Sequence, residues 1–162
     1  MADVAERPQE RPQEKPLGHL YPLRVQWEDT DAAGIVYYAN YLRFAERGRS
    51  DVLLSQGVSQ DRLLQEQKIA FAVRACAIEY LKPARLHDEL LVATRLKAAR
   101  GATLVLDQAV WRGRDKLAVA EVTLACMGLE GRPRRIPAAI TALFATLSTN
   151  SSQSSGTQTE KE

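Results

Sequence analysis

Two cysteines, two histidines and no glycine-rich phosphate loop leave this chain of 162 residues poor in the groups that most catalytic and cofactor sites use. Cys76 and Cys126 form no CxxC pair and read as free thiols buried in strands, not as a disulfide or a zinc site. His19 sits at the edge of the N-terminal tail and His87 in a Leu-His-Asp turn. Neither has a serine or cysteine partner at a recognisable spacing, which excludes the usual nucleophilic triads and a histidine-built metal site. No apolar run approaches the length that spans a bilayer, and the N-terminus resembles neither a signal peptide nor a lipid anchor. A cytoplasmic protein is therefore expected. The net charge of +2 is too small and too scattered for a nucleic-acid surface.

Aromatics and periodicity are missing from both ends. Residues 1–16, MADVAERPQERPQEKP, carry three prolines and alternate acids with bases, and residues 148–162, STNSSQSSGTQTEKE, are almost wholly polar. Both are expected to be disordered, because they have little to bury against the entropy cost of ordering. One domain remains, residues 17–147. Each tail is formally negative, so this core is more basic than the whole chain, which suits a phosphate-bearing ligand or an acidic carrier protein.

Within the core, Leu20–Gln26 reads as a strand and Tyr38–Ser55 as the principal helix, with Tyr41, Leu42, Ala45, Gly48, Val52 and Leu53 near one stripe. Gly48 would let another element approach closely, Arg47 and Asp51 are spaced as an i,i+4 pair, and Gly57 stops the helix. A shorter helical piece, Gln60–Gln67, follows Ser59 as its cap. From residue 70 the period changes. Phe71–Leu81, Leu90–Ala99, Thr103–Trp111 and Leu117–Met127 read as strands, and the short breaks at Arg100-Gly101 and Gly113 favour antiparallel hairpins. Pro137–Leu147 is a closing helix with Ile140, Leu143, Phe144 and Leu147 on one side. The result is an α+β domain in which a curved antiparallel sheet wraps a long helix. The half-polar outer face of that sheet points to a subunit interface, with a dimer as the smallest expected assembly.

The densest chemistry lies in WEDTDAAGIVYYANY, residues 27–41. A lone carboxylate, Asp31, precedes a glycine-containing bend and a helix start. Free N–H groups and the positive end of a helix dipole favour negative charge there. A carboxylate and an oxyanion-binding amide could meet, as acyl transfer or hydrolysis requires. The alternative reading makes Asp31 a cap or turn residue, a role that Asp29 could also fill.

Three blocks, EDTDAAGIVYYANYLRFAERGRSDVL, FAVRACAIEYLKPARLHDEL and RGATLVL, together with RPRRIP, resemble the hotdog-fold thioesterases of the 4-hydroxybenzoyl-CoA thioesterase-like family. Within it they are most similar to the acyl-CoA thioesterases associated with the Tol–Pal system. The resemblance implies a hotdog fold, a homodimer joined edge to edge with active sites at the interface, and pairing of dimers into a homotetramer. It places the catalytic carboxylate on Asp31 and the carbonyl-polarising backbone N–H on Tyr38, with Gly34 in the bend that admits the substrate. At Tyr38 the Tol–Pal-associated relatives often carry histidine, whereas the benzoyl-CoA branch has tyrosine, so no imidazole acts there in this chain.

The expected reaction is hydrolysis of short-chain or aromatic acyl-CoA thioesters, with Asp31 as general base or nucleophile. No metal and no separate cofactor are needed, since coenzyme A is part of the substrate and a product. Trp27, Val36, Tyr37 and Tyr41 are candidates to line the acyl tunnel, and Asn40 to bond near the acyl end or the helix start. Arg85, Arg100 and Arg135 are candidates for the coenzyme phosphates, with Arg95, Lys97, Arg132 and Arg134 as further cations. Glu46 could orient a group in the pocket or pair with Arg43 or Arg49 on the helix surface. A hotdog dehydratase would need a histidine with an acidic partner, which the long helix lacks. The non-enzyme alternative is an acyl-CoA or acyl-carrier-protein binding module in a cell-envelope assembly.

Overall fold

Hydrophobic alternation at period two over four long segments, set after one amphipathic helix, produces a single five-stranded antiparallel sheet curled around that helix. The structure, a computed structural model, describes residues 14–149. Its strands are β1 (His19–Arg24), β2 (Ile69–Tyr80), β3 (Glu89–Arg100), β4 (Thr103–Arg112) and β5 (Asp115–Gly128). The helices are α1 (Asn40–Leu54), the short turn α2 (Gln60–Arg62), which runs into a π-helical turn at Leu63–Gln67, and α3 (Ala138–Thr149). This is the hotdog arrangement. The order across the sheet is β1-β3-β4-β5-β2, so β2 leaves its neighbours in sequence and forms the far edge.

Both expected hairpins form. Arg100 pairs with Thr103 and Arg112 with Asp115, and Gly101 and Gly113 take the positive φ that such tight loops need. Register shifts near Arg74 in β2, Lys97 in β3 and Leu117 in β5 add local twist, which helps the sheet curl. Pro22 is tolerated in β1 because that strand is an edge.

Two apolar clusters fill the space between helix and sheet. One joins Val52 and Leu53 of α1 to Leu104, Leu106, Val122 and Leu124, and is closed by Ile140 and Phe144 of α3. The other surrounds Tyr41 and Phe44 with Val25, Val36, Ala84, Leu90, Val92 and Val110. Gly48 lies where α1 crosses β3: a Cβ there would sit 2.7 Å from Val92 Cγ1. The expected close approach is real.

Several sequence expectations are corrected. Leu42 is exposed, while Phe44 and Arg49 are buried, because the buried stripe centres on Tyr41, Ala45, Gly48 and Val52 and its flanks fall on 44 and 49. Asp51 does not pair with Arg47; its Oδ2 lies 2.6 Å from Nε2 of His19, which β1 brings alongside α1. Cys126 is buried as expected, but Cys76 is exposed on the edge strand, and both are free. The Ser59 cap is present, with its hydroxyl accepting from the Arg62 N–H, and the helix it begins soon widens into the π turn. The disorder expected of the two tails falls mainly on residues outside those described. Glu14 lies within the described part and bonds Lys116 on the outer face of the sheet.

Candidate functional site

The segment between β1 and α1 is held as a small hairpin. A 3-10 turn at Trp27–Asp29 is followed by a bridge between Thr30 and Val36. Inside it, the Asp31 N–H donates to the Ile35 carbonyl at 3.0 Å and the Gly34 N–H to the Asp31 carbonyl at 2.9 Å. Gly34 takes φ +75, with open space where a Cβ would be, so the bend needs glycine for its backbone conformation, not for room. The Asp31 carboxylate is exposed and accepts from the Ala33 N–H at 2.8 Å, an Asx turn that holds the side chain over its own loop.

Asp29, the competing turn residue, is buried. Its Oδ2 accepts from the Gln26 N–H, and its carbonyl accepts from the Tyr37 N–H at 2.9 Å and from Asn40 Nδ2 at 2.9 Å. Structural anchoring thus falls to Asp29 and leaves Asp31 facing solvent. The link between β2 and β3 supplies the other support. Ala84, fully buried, accepts from the Val36 N–H at 2.8 Å and donates to the Tyr41 hydroxyl at 3.0 Å. Ile35 bridges to Arg85. Asp88 braces this link by accepting from the Arg85 N–H and from Arg112 Nη1, both on its Oδ2. Burial alone would raise the Asp88 carboxyl, but these hydrogen bonds outweigh it and hold the group below the ordinary carboxylate range.

The helix begins two residues later than its sequence pattern suggests. Tyr38 and Ala39 form a turn ahead of α1, and the N–H groups of both donate to nothing among the described residues. These are the orphan donors of a helix start, next to the Asp31 bend. Asp31 is near enough to add to the upward push on the Tyr37 phenol, which comes first from the adjacent Tyr38 hydroxyl. An exposed carboxylate thus lies on the bend that leads directly into two amides without acceptors among the described residues, a pairing of groups that acyl-transfer chemistry can use.

The other candidates divide between core, surface and distant ends. Val36 and Tyr41 are buried in the cluster beneath the site. Tyr41 is neutral and strongly placed: burial pushes its phenol up, and its oxygen holds Ala84. Asn40 is buried and pins the Asp29 carbonyl. Tyr37 and Tyr38 are exposed with ring centroids 4.8 Å apart, and Trp27 is 80% exposed on the rim. Arg85 is beside the Asp31 bend, whereas Arg100 and Arg135 lie at the opposite end of the sheet, where the Ile136 N–H meets the Gly101 carbonyl.

Glu46 does pair with an arginine, but Arg49 is no surface residue. It is buried against the sheet, where Nη1 donates to Gln108 Oε1 at 2.8 Å. Gln108 in turn donates to the Ala45 carbonyl and the Thr94 hydroxyl. A groove of about 710 Å³ lies on the outer sheet face, between Ala93, Arg95, Asp107, Trp111 and Glu121, and includes neither Asp31 nor Tyr38. Arg95 and Lys97 are engaged there by Asp107 and Glu121. Sequence reasoning missed Tyr80 and Ala84, which support the site from across the fold.

The chain matches the Thioesterase-like superfamily over residues 25–144. It is 41% identical over 128 residues to the acyl-CoA thioesterase YbgC of Haemophilus influenzae, which covers 78% of this chain and 94% of that protein. A 41% identity over 126 residues, covering 76% and 93%, relates it to the acyl-CoA thioester hydrolase YbgC of Escherichia coli O6:H1. Among solved structures, a probable thioesterase from Bartonella henselae superposes with a TM-score of 0.72 at 36% identity, covering 74% of this chain and 99% of that one.

Proposed function

Since the chain belongs to the Thioesterase-like superfamily and is a thioester hydrolase, we propose that it hydrolyses short-chain or aromatic acyl-CoA thioesters to the free acid and coenzyme A. Asp31 acts as general base toward water or as nucleophile, and the Tyr38 N–H polarises the thioester carbonyl. The observation that carries this reading is the exposed Asp31 carboxylate beside a helix start whose Tyr38 N–H has no acceptor among the described residues. A thiolate leaves readily, so stabilising the oxyanion and aiming the attack are the main demands, and one amide donor supplies roughly 3–4 kcal/mol of the former. No cofactor is required.

Within one chain this corner is exposed, and of the three arginines expected at the coenzyme phosphates Arg85 lies beside it while Arg100 and Arg135 do not. An edge-to-edge homodimer supplies the rest. β2 is an edge strand of 12 residues whose stretch from Val73 to Ala77 is exposed, and long bare edges are normally covered. β2 runs from the Gly128 end of the sheet to the Tyr38 corner. Antiparallel pairing of two β2 strands would bring Arg100 and Arg135 of the partner subunit toward Asp31, where coenzyme phosphates need them. Pairing of dimers into a tetramer, a cytoplasmic location and the Tol–Pal association belong to the same proposal. Among the described residues, no helix is long and apolar enough to cross a membrane.

The test is free-thiol release from acetyl- through palmitoyl-CoA, benzoyl-CoA and 4-hydroxybenzoyl-CoA, with acyl-carrier-protein thioesters beside them. Turnover by the native enzyme should fall by about 10²-fold or more in folded Asp31→Asn. Equal rates in the two proteins would remove Asp31 as catalyst.

A further inference from the structure

We propose that Tyr80 is a positioning residue of the thioester site, its hydroxyl holding the Tyr38–Ala39 peptide so that the Ala39 N–H joins the Tyr38 N–H as a second oxyanion donor. The inference rests on the functional reading above. Tyr80 is the last residue of β2, and its hydroxyl donates to the Tyr38 carbonyl at 3.0 Å. That carbonyl is not used by the helix, because the Leu42 N–H, its ordinary i+4 donor, turns instead to the Ala39 carbonyl at 3.1 Å. The Tyr38 carbonyl and the Ala39 N–H are opposite ends of one planar trans peptide, so holding the first fixes the direction of the second. A hydrogen bond to the carbonyl also polarises the amide and makes its N–H a better donor.

Tyr80 is itself well held. β2 pairs it with Ala118 of β5, and its ring meets those of Tyr38 and Tyr41 edge-on, with centroids 6.3 and 5.4 Å apart. Burial, with smaller contributions from Tyr38, Cys76 and Tyr41, pushes its phenol above the ordinary range, so the hydroxyl keeps its proton throughout neutral conditions. The contact spans 42 positions of sequence and ties the far-edge strand to the helix start. Without it, the 38–39 peptide could rotate toward water and aim the Ala39 N–H away from the bend.

Tyr80→Phe removes the hydroxyl and keeps the ring. On a thioester that the native enzyme turns over, kcat should fall by about tenfold with KM within about twofold, the pattern of an interaction made mainly in the transition state. The melting temperature should stay close to that of the native protein. Independently of turnover, the Ala39 amide resonance in ¹H–¹⁵N spectra should move, since its peptide loses a hydrogen bond. Unchanged kcat in Tyr80→Phe beside an inactive Asp31→Asn would overturn the Tyr80 role and leave the functional reading intact. An unmoved Ala39 resonance would also overturn it. Failure of the native enzyme on every thioester would sink the functional reading, and this inference with it.

Discussion

Arg49 is the residue whose surroundings differ most from its sequence context. A guanidinium on the sheet-facing side of α1 must be paired, and here Gln108 is its relay to Thr94 and to the Ala45 carbonyl. Gln108→Leu would leave Arg49 Nη1 and the Thr94 hydroxyl without their buried partner, although Glu46 still pairs the other arm of the guanidinium. The expected cost is about 2–4 kcal/mol, from unpaired buried groups, read as a lower urea midpoint with an unchanged slope. At Gly48 the opposing effects can be weighed. Alanine would gain about 1 kcal/mol of helix propensity, but a Cβ 2.7 Å from Val92 must push that side chain aside. Gly48→Val adds further bulk and should destabilise by about 2–3 kcal/mol through overpacking, as thermal unfolding would report. The sequence alone reveals the glycine's purpose, because a helix tolerates it only for a reason. It conceals the role of Arg49, whose charge argues for the surface until Gln108 is known to lie beneath it. Val36 and Tyr41 show the same limit: apolar and aromatic residues beside the Asp31 bend suit a tunnel or a core equally well, and in the structure both are buried.

At the scale of elements, periodicity made α1 and the four long strands legible to within a few residues, and Asp31 and Gly34 were legible as a bend. The supports of that bend were not. Ala84, Asp88 and Tyr80 reach it only through a sheet order that moves β2 to the far edge, and no local pattern encodes that order. The β2–β3 link gives a test in acid. The Asp88 carboxyl is held below its unfolded value, so its stabilising contribution is present above the unfolded pKa, near 4, and is lost as pH falls through the lower folded value. Asp88→Asn should therefore lower stability at neutral pH, and the difference from the native protein should shrink as both are taken below about pH 4, followed by denaturant midpoints across pH. The thiols separate in the same way. Burial pushes the Cys126 thiol up, whereas Cys76 is exposed on β2, so the monomeric fold should present one fast-reacting thiol, at Cys76, to a disulfide reagent.

For the whole molecule, the bare stretch of β2 is the decisive surface. Lysines on an edge oppose strand addition, so a Val73→Lys, Cys76→Lys variant should sediment as a smaller species than the native enzyme. On the proposed dimer it should also lose thioesterase activity, because Arg100 and Arg135 of the partner subunit would no longer be brought toward Asp31. Retained activity in a monomeric variant would show that one chain suffices.

The contact between Tyr80 and the Tyr38 carbonyl has a thermodynamic corollary. In the proposed dimer one strand carries both the edge offered to a second copy and the proposed clasp on the oxyanion donors, so assembly and transition-state binding would draw on the same ordered segment. Linkage makes such an arrangement reciprocal: whatever firms β2 by pairing favours a correctly aimed Ala39 amide, and a bound transition-state mimic returns the favour to the dimer by the same factor. Dimer dissociation on dilution should then shift to lower protein concentration in the presence of such a mimic, and Tyr80→Phe should weaken that shift.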